Sequence, residues 1–115
     1  MATEDEYRRI ALSLPEVIEE NHYGSPSFKV GKTFLSRLRE DGENVVLPMP
    51  IDERDFWIEQ EPNIFHVTEH YQKWAGVLVR LAEVEPERLE ELLHGAWLHV
   101  AKPAVRKRHP ELASG

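Results

Sequence analysis

The chain has 115 residues, 41% of them hydrophobic and none of them cysteine, and it carries a formal net charge of −7. This length makes about one domain, and the lack of cysteine excludes a disulfide framework, a thiolate nucleophile and a cysteine-based zinc site. No apolar stretch approaches the roughly 20 residues of a membrane-spanning helix, which predicts a single cytoplasmic domain over residues 1–115 with no membrane contact.

The first predicted element is a helix that begins at a capping box. Thr3 and Glu6 have the spacing in which each side chain satisfies an orphan backbone N–H of the other. Four apolar residues then recur at helical spacing, and Pro15 should end the helix because it disfavours helical geometry at the residue before it. We expect a further short helical turn over residues 16–20. The four apolar positions are Tyr7, Ile10, Ala11 and Leu14.

The next predicted element is a β-hairpin with its turn at Gly31-Lys32, because glycine reaches positive φ without a Cβ clash. A strict two-residue loop places Val30 opposite Thr33 and Phe28 opposite Leu35. A three-residue loop with a bulge shifts the register by one residue and exchanges the two faces. The pattern leaves both registers open.

Alternation along the second strand of the hairpin predicts which side chains share a face. Phe34, Ser36 and Leu38 fall on one side, while Leu35, Arg37 and Arg39 fall on the other. The side that carries the two arginines is the better candidate for exposure to solvent.

The second half of the chain predicts two helices and three further strands. The strands fall at residues 44–47, 64–67 and 74–81; Asp52 is the expected N-cap of one helix and Pro86 suits the first position of the other. The order predicts an α+β fold, α-β(3)-α-β(2)-α, with an antiparallel sheet covered by helices. The apolar stripe of the last helix is Leu89, Leu92, Leu93, Ala96, Trp97 and Val100.

Several short motifs carry a family resemblance. The segment His22-Tyr23-Gly24-Ser25-Pro26-Ser27-Phe28 resembles the His-x-Gly-x-Pro-x-Phe signature of the MmcQ/YjbR-like family. The resemblance covers nearly the whole chain and implies the same α-β(3)-α-β(2)-α order, similar in layout to secretion chaperones and CyaY-like proteins. It also implies DNA binding through hairpins and brings no catalytic residue. The other matching segments are Ser-Leu-Pro at 13–15, Val-Gly-Lys-x-Phe at 30–34, Glu-Arg-Asp at 53–55 and Val-Arg-Leu at 79–81.

Two acid-free basic segments are the candidate contacts to double-stranded DNA. One is the hairpin over residues 28–39, and the other is residues 102–109, in a basic C-terminal tail from about residue 102. Contacts of this kind neutralise phosphates and give affinity without reading sequence. The alternative interpretation is that these side chains only keep a sheet face and a chain terminus solvated. The candidates are Lys29, Lys32, Arg37, Arg39, Lys102, Arg106, Lys107 and Arg108.

The residues of the His-x-Gly-x-Pro-x-Phe motif are expected to be structural. A histidine beside glycine and proline commonly packs its ring and hydrogen-bonds a turn, while the glycine and proline set backbone geometry. The alternative for the histidine is a ligand-pocket or titrating role. The four motif residues are His22, Gly24, Pro26 and Phe28.

The sequence offers no scaffold for catalysis or metal binding. Ser25 and Ser27 lack the Gly-x-Ser-x-Gly context of a nucleophile, and Gly31-Lys32-Thr33 lacks the upstream glycine of a phosphate loop. His66 and His70 have no evident third metal ligand. We therefore expect a small cytoplasmic, non-enzymatic binding protein without cofactor or metal, whose partner is DNA. The alternative is a protein-interaction or chaperone-like module that uses an apolar groove or a dimer patch.

Overall fold

The computed structural model describes residues 1–22 and 24–113. Its strands form one antiparallel six-stranded sheet in the order β1-β2-β3-β4-β6-β5, which confirms the predicted α+β class. The strands are β1 (Val17–His22), β2 (Ser25–Val30), β3 (Thr33–Leu38), β4 (Asn44–Pro48), β5 (Phe65–His66) and β6 (Gly76–Arg80). The helices are α1 (Glu4–Ser13), α2 (Ile51–Gln60), α3 (Pro86–Val100), α4 (Pro103–Arg108) and α5 (Pro110–Ala113), with a 3₁₀ turn at Glu69–Tyr71.

The chain after α1 forms a strand where a helical turn was predicted. Glu16 adopts a positive φ of 58°, which reverses the chain immediately after Pro15. Val17 and Ile18 are β-branched and fit a pleated strand, and β1 pairs with β2 along its whole length. The helical prediction for residues 16–20 was therefore wrong, and the sheet has one strand more than the expected order.

Helices α1 and α3 cover the inner face of the sheet. Tyr7 of α1 packs edge-on against Phe28 of β2, with the ring centroids 5.3 Å apart. Trp97 of α3 is fully buried and donates its indole N–H to the carbonyl oxygen of Pro15 at 2.9 Å. The apolar faces predicted for the two helices thus meet over the sheet and form the core.

The hairpin has the predicted two-residue turn, but a bulge interrupts its register. Gly31 has a φ of 61°, and Val30 lies opposite Thr33 as the shorter loop requires. The register then shifts between Phe28 and Lys29, so that Phe28 faces Ser36 instead of Leu35. The hairpin therefore has the turn of the two-residue alternative and a bulge like that of the three-residue alternative.

The bulge changes which side chains share a face. Directly paired residues lie on the same side of a sheet, so Lys29 and Phe34 lie together, as do Ser27 and Arg37 on the same face. Leu35 is fully buried and belongs to the core. The alternation that placed Phe34 apart from Arg37 was wrong, because the bulge adds one residue to β3.

Two predicted element boundaries also change. Helix α2 begins at Ile51 with Pro50 in the N-cap position, so Asp52 lies inside the first turn and does not cap it. The basic segment from residue 102 folds into α4 and α5 after α3 ends. Among the helices that the structure describes, none is both long and apolar enough to cross a membrane.

Candidate functional site

The outer face of the sheet, opposite α1 and α3, carries three of the predicted cations. Lys29 projects from β2 and Arg37 from β3, and Arg39 follows β3 directly. Successive pairs place one row of side chains across this face from edge to edge, namely Glu20, Ser27, Arg37, Val46, Leu78 and His66.

Lys29 and Arg37 each have a carboxylate partner. The Nζ of Lys29 lies 3.2 Å from a carboxylate oxygen of Glu20, and Nη1 of Arg37 lies 3.3 Å from Glu40. Arg37 also donates from Nη2 to the hydroxyl of Tyr71 at 2.8 Å. These contacts fix the two cations on the sheet and reduce the positive charge that they offer to a distant polyanion.

Arg39 is held by contacts of a different kind. Its guanidinium carbon lies 5.6 Å from the centroid of the Tyr71 ring, and its Nη1 lies 4.0 Å from a carboxylate oxygen of Asp41. Its Nε is buried without a hydrogen-bond partner among the described residues. Arg39 is therefore half-enclosed and does not present a free cation to solvent.

A pocket of about 310 Å³ opens on this face. It combines basic, acidic, hydroxyl and aromatic groups from three adjacent strands. Its lining residues are Glu20, Asn21, Ser27, Lys29, Phe34 and Arg37. Two of them, Lys29 and Arg37, were predicted as functional residues, and the pocket itself could not be seen in the sequence because it depends on the bulge in β3.

The segment between β5 and β6 supplies an aromatic wall beside Phe34. The rings of Phe34 and Trp74 lie 6.2 Å apart in an edge-on arrangement, and Tyr71 lies 5.9 Å from Trp74. Gly76 makes this position of Trp74 possible, since a Cβ at Gly76 would collide with the indole ring. The tyrosine in turn accepts the hydrogen bond from Arg37.

Arg54 of α2 holds the same segment through hydrogen bonds to its backbone. This side chain is buried, with 4% of the residue exposed, and its Nε donates to Asp55 at 3.1 Å. Its Nη1 donates to the carbonyl oxygens of Gln72, Trp74 and Gly76 at 3.2, 2.9 and 3.4 Å. Arg54 belongs to the Glu-Arg-Asp motif, but this role could not be predicted from the sequence because its neighbours in α2 are charged residues of a solvated helix.

The His-x-Gly-x-Pro-x-Phe segment borders the pocket. Gly24 has a φ of 85° in the β1–β2 turn and donates its N–H to the Asn21 side chain at 2.8 Å. Pro26 and Phe28 are buried in β2. The backbone of His22 ends β1, but its side chain lies outside the described part of the structure, so its predicted role stays a prediction.

One residue of the second predicted cation cluster, Arg108, contacts Glu16. The carbonyl oxygen of Glu16 accepts the N–H of Gly31 at 3.2 Å, and its carboxylate accepts two hydrogen bonds from Arg108 at 2.7 and 2.9 Å. His109 places Nε2 2.9 Å from the same carboxylate. The hydrogen bonds from Arg108 lower the pKa of Glu16 to about 2. The hairpin turn, with Lys32, is thereby joined to α4.

The remaining candidates have no carboxylate partner among the described residues. All are exposed, and they lie in the hairpin turn or in and just before α4. They are Lys32, Lys102, Arg106 and Lys107. The structure thus separates the eight predicted cations into a paired group, which includes Arg108, and this unpaired group.

The described residues do not assemble a cluster of three or more His, Asp or Glu side chains that could hold a metal ion. Candidate binding groups of this chain are the paired cations of the outer face, the pocket beside them and the unpaired cations of the hairpin turn and α4.

Comparison with known proteins identifies the family. The model of the family described as YjbR matches residues 12–99, which span β1 to β6 and nearly all of α3. The chain belongs to the YjbR family. This confirms the resemblance inferred from the motifs, and the basic helix α4 lies beyond the matched residues of this YjbR protein.

A solved structure and curated sequences from other bacteria are also similar to this chain. The crystal structure of Deinococcus radiodurans protein DR2400, described as a DUF419 domain, is similar to this YjbR protein with a TM-score of 0.76 and 26% identity, over 98% of this chain and 89% of that one. Uncharacterized proteins of Mycobacterium bovis and Mycobacterium tuberculosis are 49% identical over 41 residues. That match spans 36% of this chain and only 32% of each mycobacterial protein.

Proposed function

We propose that this YjbR protein is a cytoplasmic, non-enzymatic protein that binds double-stranded DNA through phosphate contacts. The observation that carries the proposal is the junction at Glu16, whose carbonyl group holds the hairpin turn while its carboxylate holds α4. This junction joins the two segments of the sequence that carry the unpaired cations. They are Lys32, Lys102, Arg106 and Lys107.

The charges of the protein determine the kind of binding to expect. A net charge of −7 repels DNA at long range, so affinity should be weak and confined to low salt. About four phosphate contacts correspond to a slope of roughly −3.6 for the logarithm of the binding constant against the logarithm of salt concentration. Binding should therefore weaken about a hundredfold between about 50 and about 200 mM salt. Contacts of this type would not distinguish one duplex sequence from another.

Fluorescence anisotropy with a labelled duplex tests the proposal. The double variant Arg106→Gln/Lys107→Gln should bind more weakly and reduce the salt slope by about two. The matched control Arg9→Gln/Lys73→Gln removes the same charge from exposed positions on α1 and the β5–β6 segment. Absence of binding at low salt, or equal weakening by both double variants, would contradict the proposal.

A groove beside α3 supports a second candidate function, a protein-interaction module. The groove has a volume of about 290 Å³ and lies between residues 48–50 and the second half of α3. Two large apolar side chains of α2 are exposed nearby in sequence, Ile51 at 39% and Phe56 at 52%. Apolar surface of this kind is common where proteins associate.

Sedimentation velocity over a concentration series tests whether a second copy of the chain occupies this surface. Association should weaken in Ile51→Ser/Phe56→Ser, whereas Leu12→Ser, which removes an apolar residue exposed by 45% on α1, should have no effect. A monomer at every concentration would contradict self-association through this groove.

A further inference from the structure

The pocket on the outer face places an arginine and an aromatic ring side by side. We infer that it binds a small organic monocarboxylate with a flat apolar body, independently of the proposed DNA contacts around Glu16. Its volume of about 310 Å³ lies at the lower end of the range for ligand pockets, which fits a small molecule and is too little for a large cofactor.

Arg37 supplies the anion-binding group. A guanidinium has five N–H donors, and the described contacts of Arg37 use one on Nη1 and one on Nη2. The remaining donors belong to a side chain that lines the pocket and is 20% exposed. The planar fork of an arginine matches a planar carboxylate, so the ligand's anionic group should pair with Arg37.

Phe34 supplies the apolar surface. The bulge in β3 places this ring on the same face as Arg37, where it lines the pocket and is only partly buried. Trp74 packs against Phe34 and limits the positions that the ring can take. A flat apolar body can therefore stack on Phe34 while its carboxylate reaches Arg37.

Glu20 limits the positive charge of the pocket. Its carboxylate lines the pocket and is paired with Lys29 at 3.2 Å. Removing the negative charge of Glu20 should strengthen the binding of an anion, since the Coulomb energy is proportional to the product of the charges. Ser27 adds a hydroxyl group for polar substituents of the ligand.

The surroundings hold the site in shape before a ligand arrives. Arg54 binds three carbonyl oxygens of the segment that carries Tyr71 and Trp74. Tyr71 then fixes Arg37, and Trp74 fixes Phe34. Because these groups are already ordered, a ligand loses little affinity to ordering them.

Titration of ¹⁵N-labelled protein with phenylacetate, followed by amide chemical shifts, tests this site. Benzyl alcohol serves as the neutral probe of similar size. Phenylacetate should give saturable shifts at Ser27, Phe34 and Arg37, and benzyl alcohol should bind at least about tenfold more weakly. No saturable shifts with phenylacetate, or an equal response to benzyl alcohol, would overturn the inference.

Four variants separate recognition from general damage to the fold. Arg37→Gln should weaken phenylacetate binding at least about tenfold, and Phe34→Leu should weaken it in a protein that keeps every charge. Glu20→Gln should strengthen binding, a gain that unfolding cannot produce. The control Arg39→Gln removes a neighbouring arginine that does not line the pocket. Equal weakening by Arg39→Gln and Arg37→Gln, or no gain from Glu20→Gln, would overturn the inference.

The same titration is independent of the DNA proposal. The variant Arg106→Gln/Lys107→Gln lies outside the pocket and should bind phenylacetate with unchanged affinity, whatever its effect on DNA. Loss of phenylacetate binding in that variant would contradict the assignment of the ligand to the outer face.

Discussion

The Nη2 of Arg108 lies 2.7 Å from a carboxylate oxygen of Glu16, a residue 92 positions earlier in the chain. Nε of Arg108 donates to the second oxygen at 2.9 Å, which makes the contact bidentate. Glu16 is also the residue whose positive φ reverses the chain before β1. One side chain thus links the start of the sheet to the basic helix α4.

The ion pair of Glu16 predicts a specific dependence of stability on pH. Hydrogen bonding from Arg108 lowers the pKa of Glu16 from 4.5 to about 2 in the folded protein. A lowered carboxyl pKa contributes stability that is complete above the unfolded value and is lost as the pH falls through the folded one. Arg108→Gln should therefore return the pKa of Glu16 toward 4.5 and remove this contribution.

Carboxyl ¹³C chemical shifts over a pH titration measure the pKa of Glu16 directly. Arg106→Gln, which changes a neighbouring arginine of α4 that has no described carboxylate partner, is the matched control and should leave this pKa near 2. A pKa that stays near 2 in Arg108→Gln would show that another group stabilises the Glu16 carboxylate.

From the buried hydrogen bond of Tyr7 we expect Tyr7→Phe and Ser36→Ala to lower the free energy of unfolding by different amounts. Tyr7 Oη lies 2.7 Å from Ser36 Oγ, and Ser36 donates its own proton to the Val46 carbonyl oxygen at 2.9 Å, so Tyr7 is the donor to Ser36. Burial raises the pKa of Tyr7 and keeps the phenol protonated. Tyr7→Phe should lower the free energy of unfolding by about 1 kcal/mol, the net value of one hydrogen bond.

Ser36→Ala should cost more than Tyr7→Phe, roughly 2 kcal/mol, because it leaves the Tyr7 hydroxyl buried without a partner. Adding Tyr7→Phe to Ser36→Ala should recover part of that loss, since the unpaired hydroxyl is then removed. Urea unfolding of the two single variants and the double variant measures these differences. Additive effects of the two substitutions would contradict a hydrogen bond between the two hydroxyls.

The elements that could be predicted from the sequence are those fixed by local signals. The capping box at Thr3 and Glu6 begins α1, Pro86 begins α3, and the glycine at position 31 makes the hairpin turn. Each signal acts within a few residues, because caps, helix starts and tight turns depend on nearby backbone groups. These three elements could therefore be predicted without knowing the rest of the fold.

The features that could not be predicted depend on long-range pairing. Residues 16–20 include three glutamates, which suit a helix, yet pairing with β2 makes most of that segment a strand. The bulge in β3 moves Phe34 beside Arg37, and no local pattern marks its position. The carboxylate partners of Lys29 and Arg108 come from outside the two basic segments. The absence of acidic residues within a segment therefore did not mean that its cations lack ion-pair partners.

Adding a methyl group at Gly76 tests the packing of the aromatic wall formed by Tyr71 and Trp74. A Cβ at this position would collide with the Trp74 ring, so Gly76→Ala should displace the indole from Phe34. We expect a loss of about 1–3 kcal/mol in the free energy of unfolding, typical of inserting a methyl group into packed surroundings. Near-ultraviolet circular dichroism and urea unfolding measure the two effects. The control Gly95→Ala, where an added Cβ meets open space in α3, should not destabilise the protein.

From the lowered pKa of His66 we expect a loss of stability at mildly acidic pH. Its Nε2 lies 2.7 Å from Asn44 Oδ1, and burial, assisted by the charges of Arg80 and Arg39, lowers its pKa below the ordinary 6.5. A lowered histidine pKa means that the unfolded chain binds the proton more readily. Its contribution to stability is therefore complete above about pH 6.5 and declines as the pH falls through the folded-state value.

His66→Gln should flatten the dependence of unfolding free energy on pH between about 7.5 and 5.5, the range in which histidines titrate. His70→Gln, at an exposed position nearby, is the control and should leave the pH dependence unchanged. An unchanged slope in His66→Gln would show that another group is responsible for the acid sensitivity in this range.

We expect the buried side chain of Arg54 to support both the fold and the pocket. Arg54→Met keeps the length of the aliphatic stem but leaves the carbonyl oxygens of Gln72, Trp74 and Gly76 without this donor. We expect a loss of at least about 2 kcal/mol in the free energy of unfolding, together with faster hydrogen exchange in the segment between β5 and β6. Arg9→Met, at an exposed position on α1, should change neither measurement. Fast exchange confined to that segment would show local loosening, which should weaken phenylacetate binding while α1 and α3 remain protected. Unchanged exchange there would mean that the three carbonyl contacts do not hold the aromatic wall in place.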